Sequence, residues 1–206
     1  MALTSKTYLG RLSTVLLIVG AILLGYVAWS YGSMYLEQRR LAREWQQQQQ
    51  TKSSLELAPR TESQPAPEDA LTRLTVPKID LDSVVVEGTS NHALRLGPGH
   101  MQKTPEPGES GNAVISGHRD TFFRHIGDLV MGDELVVQRG GHKYVYKVTG
   151  KKVVEPTDLS VIEPTRDSRL TLITCYPTYY IGPAPKRLVV FSKLVDEKSE
   201  VASADR

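Results

Sequence analysis

The run RLTLITC, residues 169–175, reads as one half-buried strand. Leu170, Leu172 and Thr174 fall on one face and Thr171, Ile173 and Cys175 on the other, the period-two alternation that a pleated strand imposes. Pro177 has no N–H for a ladder and restricts Tyr176 to extended or turn geometry, so the strand is expected to end at Cys175 and to leave the chain's one cysteine at a rim. Short β-type runs of the same kind lie on either side: RLTVPKI (73–79), SVVVEG (83–88), NAVISGH (112–118), DELVVQR (133–139), KYVYKVTGKKVV (143–154) and RLVVFSKLV (187–195). Gly140-Gly141 separates two of them as a hairpin turn would. Helical patterning is confined to short pieces at 91–97, 120–127 and 156–162, the last with Asp158 able to cap a first turn. This spacing of strands predicts an all-β domain, a barrel or a sandwich, over residues 71–197.

The N-terminal part obeys different chemistry. Residues 12–36 carry no charged side chain, and at about 1.5 Å per helical residue they exceed the roughly 30 Å hydrocarbon core of a bilayer. The run is long and leaves through Tyr26, Trp29, Tyr31 and Tyr35 rather than through small residues, which predicts an uncleaved transmembrane anchor. Its orientation is open on charge alone, because Lys6 and Arg11 within and beside residues 1–11 are matched by Arg39, Arg40 and Arg43 on the far side. Residues 37–70, with QQQQQ at 46–50 and then Pro59, Pro65 and Pro67, read as a polar linker whose first part can continue the helix. Residues 198–206 read as a polar tail.

Bulk composition excludes some functions. A net charge of +2 over 206 residues, without a basic stripe or interleaved aromatics, gives no basis for a nucleic-acid partner. One cysteine makes no internal disulfide, and no second soft ligand stands near it for zinc or redox pairing. The thiol is therefore either a packing residue or a nucleophile. An ordinary thiol is only a few per cent ionised at neutral pH, so a nucleophile needs a base or cation beside it. His92, His100, His125 and His142 lie in polar or amphipathic stretches where solvation or packing accounts for them. His118 instead ends an apolar run, as Cys175 does, after a glycine that allows close backbone approach. Arg187 opens the last strand; if that strand pairs with 169–175 across the intervening loop, its guanidinium falls near the sulfur, where it could hold an acyl oxygen as charge develops.

Taken together, GHRDTFF (117–123), TLITC (171–175) and Arg187 resemble the sortases, cysteine transpeptidases of bacterial surfaces, and most closely their class D type; VVVEGTSNHALRLGPGHM (84–101) and GESGNAVISGH (108–118) extend the likeness across nearly all of 71–195. The resemblance implies a closed eight-stranded β-barrel with short helices, preceded by one N-terminal transmembrane helix. It further implies a single-pass protein of the cytoplasmic membrane, N-terminus inside and catalytic domain outside. It makes Cys175 the nucleophile, His118 the acid/base and Arg187 the clamp on substrate and oxyanion. The expected partners are a protein bearing a C-terminal LPxTG-like motif and an amine of peptidoglycan or its precursor, joined through a thioester and without a cofactor. Thr174, Val161 and Ile162 are candidate substrate-binding residues, the last two from the loop at 155–168, although strand structure accounts for Thr174 and packing for the other two equally well. Glu106, Glu109 and Asp158 match no calcium-binding cluster, and no metal is expected. The pattern lacks an Asp-Pro-aromatic lid and a second apolar span, which favours protein anchoring over pilus assembly.

Three rival readings stand against the resemblance, and the alternatives kept are a hydrolytic wall-active cysteine peptidase and a membrane-tethered binding module. An L,D-transpeptidase would carry its cysteine in a Ser-x-Gly-Cys context, which LITCYP lacks; a papain- or NlpC-like hydrolytic peptidase would place cysteine before histidine; a membrane-tethered barrel with an inert thiol would only bind a partner.

Overall fold

The computed structural model describes residues 3–55, 71–179 and 182–199, with the side chains of 3–13, 48–55 and 199 excepted. The extended part of the expected linker, 56–70, and the tail beyond 199 lie outside the described residues. Two compact units divide at Arg39/Arg40.

The first unit is helical. Helix α1 runs Leu3–Leu55, continuing past the expected anchor into what the sequence reads as linker, where Gln and Glu are good helix formers. Within it Thr14–Gln47 is apolar and long enough to cross a membrane, and none of that span's most apolar window is buried. The guanidinium of Arg39 lies 4.4 Å from the centroid of the Tyr35 ring, a cation stacked on the aromatic end of the apolar run.

The second unit is a closed barrel of eight strands: β1 Thr72–Val76, β2 Leu81–Glu87, β3 Gly99–His100, β4 Asn112–Gly117, β5 Glu134–Arg139, β6 His142–Val154, β7 Arg169–Tyr176 and β8 Lys186–Ser199. They close in the order β1-β2-β3-β4-β7-β8-β6-β5. Most neighbours are antiparallel, but β2–β3 and β4–β7 run parallel. Closure leaves no sheet edge for another chain to extend. Strand β3 escapes sequence reading because two residues display no alternation. The PKI of the first apolar run folds as a 3-10 turn, Pro77–Ile79, since Pro77 cannot stay in a ladder. Gly140 and Gly141 both have positive φ and join β5 to β6 in a two-residue turn, the conformation that makes glycine the fitting residue there.

Alternation places Leu170 and Leu172 of β7, Ala113 and Ile115 of β4, and Leu188 and Val190 of β8 inside the barrel with Leu74, Leu135, Val137 and Tyr146. Each buried aliphatic side chain contributes roughly 1.5–3 kcal/mol. A second, smaller cluster joins Val154 of β6, Ile173 of β7 and Val189 and Phe191 of β8 to Val161 and Ile162 of the β6–β7 connection. That outer cluster lies under the β6–β7 connection, whose 3-10 turn Leu159–Ile162 is capped by Asp158. Helix α2, Asn91–Leu96, starts at Ser90, whose hydroxyl accepts from Ala93 N at 3.1 Å.

Candidate active site

Strand β7 sits between β4 and β8, and the registers on its two sides bring the three predicted residues together. Cys175 stands directly opposite Arg187 across the β7–β8 ladder. On the other side Gly117 is the partner of Thr174, so His118, the next residue beyond β4, follows on the parallel track beside Cys175. Parity puts Cys175 and Arg187 on the outer face, because the buried Thr174 and Leu188 belong to the inward set, and His118 directly follows the buried Gly117. Adjacent strands lie about 4.8 Å apart, which makes the three side chains neighbours at one rim. Each is half-buried. Neither the His118 ring nor the Cys175 thiol makes a hydrogen bond among the described residues.

The segment GHRDTFF is organised by one close approach. A Cβ on Gly117 would meet ring carbons of Phe123 at 2.7 Å, so only glycine lets that ring plug the barrel end. Phe123 is fully buried, and its N–H donates to the carbonyl of His118 at 3.0 Å, turning the chain back on itself. His118 is thereby held where β4 ends. The inward-pointing Thr174 donates its hydroxyl to the Gly117 carbonyl at 2.7 Å, tying β7 to β4 one residue before each of the two reactive side chains.

Two arginines grip the connection between β7 and β8. Arg119 Nη1 donates to Pro177 O at 3.2 Å and Nη2 to Gly182 O at 2.7 Å. Arg187 Nη1 donates to Lys186 O at 3.0 Å and to Ala184 O at 3.4 Å, which leaves the Nε and Nη2 hydrogens of its fork for another acceptor. The β6–β7 connection is held differently. Asn112, 4% exposed, donates from Nδ2 to Val161 O at 3.1 Å and Glu163 O at 3.2 Å, and accepts from the Thr171 hydroxyl at 2.6 Å. Its amide thus satisfies both donors and one acceptor inside a buried site.

Of the other three candidate residues, Thr174 and Val161 are buried and Ile162 is half-buried. Thr174 is 2% exposed and faces the barrel interior, so it is a strand tie rather than a contact surface. Val161, at 7%, packs on Val154 and Val189 and presents its backbone to Asn112 instead of its side chain to solvent. Ile162 is half-buried against the same cluster. Sequence reasoning did not single out Asn112 or Arg119. For Arg119 a hint existed, a charged residue directly after the candidate histidine; for Asn112, a polar residue opening an apolar strand was the only trace.

Other titratable groups lie elsewhere. His100 is buried, with Nδ1 2.9 Å from Glu87 Oε2 and Nε2 3.1 Å from both Pro105 O and Thr104 Oγ1. The Thr104 hydroxyl donates to Met101 O at 2.7 Å and so serves the ring as an acceptor. Glu87, His100 and Glu106 bring potential ligand atoms within 4.8 Å of one another, but both ring nitrogens already face acceptors. Arg139 Nε lies 3.3 Å from Glu106 Oε2, an ion pair whose angle falls short of a hydrogen bond. These contacts tie β2 and β3 to the β3–β4 connection, and the Arg139 guanidinium already stands beside the Glu106 carboxylate. Burial pushes the Tyr146 phenol up, while its oxygen accepts from Gly108 N at 2.7 Å. His125 pairs with Asp128 and His142 with Glu197. Asp158 caps its turn by accepting from Ser160 N, and Glu109 accepts from Glu106 N.

Comparison with known proteins identifies the family of the fold. The sortase domain family matches residues 74–195. The chain is 37% identical over 161 residues to Sortase D of Bacillus subtilis, covering 77% of this chain and 81% of that protein. It is similar in structure to a Sortase D5 transpeptidase of Clostridium perfringens, with a TM-score of 0.62 at 25% identity over 78% of this chain and 99% of that one. Sortase E1 of Streptomyces coelicolor, solved with a tripeptide in its active site, superposes with a TM-score of 0.59 at 29% identity, over 68% and 96% of the two chains. With a family model matched over residues 74–195 and a relative 37% identical over 77% of its length, this chain belongs to the sortase family of transpeptidases.

Proposed function

We propose that the chain is a membrane-anchored sortase that cleaves an LPxTG-like sorting signal and passes the acyl group to an amine of the cell envelope. The observation that supports this reading is the register across β4, β7 and β8, in which Cys175 has Arg187 directly opposite and His118 directly follows Gly117, the partner of Thr174.

In the reaction, His118 takes the proton of the Cys175 thiol and the sulfur attacks the carbonyl carbon of the motif's threonine. The carbonyl oxygen gains charge, which the Arg187 hydrogens left free by the loop carbonyls stabilise; one such donor is typically worth about 3 kcal/mol. The tetrahedral adduct collapses as His118 protonates the departing glycine amine, leaving a thioester on Cys175. An acceptor amine gives a proton to His118, attacks the thioester, and expels the sulfur, which regains its proton. A peptide bond replaces the one broken, so no cofactor enters the balance. The apolar part of α1 anchors the protein, N-terminus in the cytoplasm and barrel outside, where envelope amines and exported proteins meet it.

The test is incubation of the detergent-solubilised chain with LPxTG-like peptides, with and without a short amine acceptor. Wild type should join peptide to acceptor and Cys175→Ala should not. Release of free acid alone, even at high acceptor concentration, points to a hydrolase; product from Cys175→Ala removes the cysteine mechanism altogether.

A further inference from the structure

We propose that Arg119 is a positioning residue of the transfer reaction, a guanidinium clamp that sets the β7–β8 connection relative to the His118 segment. The inference rests on the assignment of Cys175, His118 and Arg187 made above. Arg119 follows His118 directly in the chain, and its two terminal nitrogens donate to two carbonyls of the same connection, Pro177 O and Gly182 O. Pro177 lies two residues after Cys175, and Gly182 five before Arg187. One planar group therefore ties together the three chain segments that carry the reacting side chains.

The geometry explains why arginine and not another cation stands there. A guanidinium presents donors in a fixed fork, so two acceptors five residues apart in the chain are held at a set separation, whereas an ammonium on a flexible stem holds them as a point. Hydrogen bonds to a charged donor are also the stronger kind. The connection needs such a tie, because among the described residues its exposed part contributes little apolar burial: Tyr179 is 83% exposed, and Gly182, Pro183 and Pro185 are exposed. Arg187 bonds the later carbonyls, Ala184 O and Lys186 O, with its own Nη1. If Arg119 lets go, the side-chain bonds left on the connection's carbonyls among the described residues are those of Arg187, and the oxyanion clamp moves with the loop it holds.

The test uses the full chain in detergent with Arg119→Gln and Arg119→Lys. Hydrogen exchange of the amides of Tyr176, Thr178, Tyr179, Gly182, Ala184, Lys186 and Arg187 is measured alongside alkylation of Cys175 by iodoacetamide and peptide transfer, with rates expressed per titratable Cys175. Arg119→Gln should speed exchange in those amides by about tenfold or more and lower kcat by at least about tenfold, while KM moves less than about threefold, because misplacement of reacting groups by a fraction of an ångström acts on the chemical step. Arg119→Lys should recover part of the loss, since one ammonium reaches one of the two carbonyls. A purely structural role would lower the melting temperature and the titratable fraction without moving kcat per active site. Unchanged exchange, or unchanged kcat in both variants, overturns the clamp. A wild type that alkylates at Cys175 but transfers no peptide sinks the transferase reading instead; exchange and alkylation rates then decide the clamp by themselves, and equality of variant and wild type overturns it.

Discussion

Replacing Asn112 by alanine removes one buried amide that serves the β6–β7 connection and β7 at once. Its Nδ2 hydrogens go to Val161 O and Glu163 O, and its Oδ1 receives the Thr171 hydroxyl. Thr171 is 1% exposed and the Asn112–Val161 bond is buried, so two groups lose their partners without access to bulk water, while the Glu163 carbonyl is only part-buried and can be hydrated. Orphaning a buried polar group costs about 1–3 kcal/mol, and a water entering the vacated space recovers part of it, which sets the expected loss at about 2–4 kcal/mol. Against a total of roughly 5–15 kcal/mol that is a large fraction, and it corresponds to a fall in melting temperature of roughly 10 °C or more. The assay is urea denaturation of the full chain, with hydrogen exchange followed at 159–165. Asn112→Asp keeps the shape but sets carboxylate oxygens against two carbonyls, so it should destabilise at least as much. Thr171→Val, which removes the donor to Oδ1, should combine with Asn112→Ala less than additively, because the two belong to one network. A loss below about 0.5 kcal/mol with unaltered exchange at 159–163, or full additivity in the double variant, refutes the network's role in holding the connection.

Three further outcomes follow from the same geometry. Gly117→Ala drives a methyl into the Phe123 ring, 2.7 Å from the new atom, and should cost about 1–3 kcal/mol in denaturant titrations; trimming the ring by Phe123→Leu in the same chain should return part of that cost, and no return would mean the clash is not the cause. Arg187→Lys keeps the charge but loses the fork, so transfer should fall by about tenfold or more while the fold is retained; near-normal turnover would remove Arg187 from oxyanion binding. Asp167 is held at about 2, below the ordinary carboxyl value of 3.8, first by its bonds to Arg169 and then by Lys193. Its folded value is depressed, so its contribution to stability is present above about pH 4 and is lost as the pH falls toward about 2; the gap between wild type and Asp167→Asn should be constant at higher pH and close across that window. A gap that does not change with pH from 5 to 2 contradicts this.

The barrel was legible wherever strands were long enough to alternate. RLTLITC shows its faces in the sequence, and the inward Leu170 and Leu172 and the outward Cys175 keep those faces in the structure. The β5–β6 turn was equally plain, since two consecutive glycines between apolar runs have few other uses. Strand β3 was invisible because its pairing comes from neighbours on both sides rather than from its own two residues. The strand carrying Cys175 continues one residue past the expected end, because Tyr176 still pairs with Lys186 before Pro177 stops the ladder. Of the site, the pieces set by strand ends were readable: His118 and Cys175 each terminate an apolar run. Contacts between side chain and distant backbone were not. Arg119 reaches carbonyls 58 and 63 residues away, and Asn112 reaches one 49 away, separations over which no local pattern operates. For Val161 and Ile162 the sequence left substrate contact and packing equally open; in the structure Val161 is buried on Val154 and Val189, and Ile162 packs half-buried against the same cluster.

Strand β8 is the last to leave the ribosome, yet it is an interior member of the sheet, wedged between β7 and β6. Until it arrives, β7 and β6 lack their shared neighbour and the cylinder stays open, so a chain truncated before Lys186 has a thiol but no guanidinium to pair with it. Parallel pairing of β4 with β7 adds a second delay, because contacts so distant in sequence form late in folding. On the proposed assignment, transfer therefore waits on the last of the eight strands, because only then does Cys175 have Arg187 opposite it.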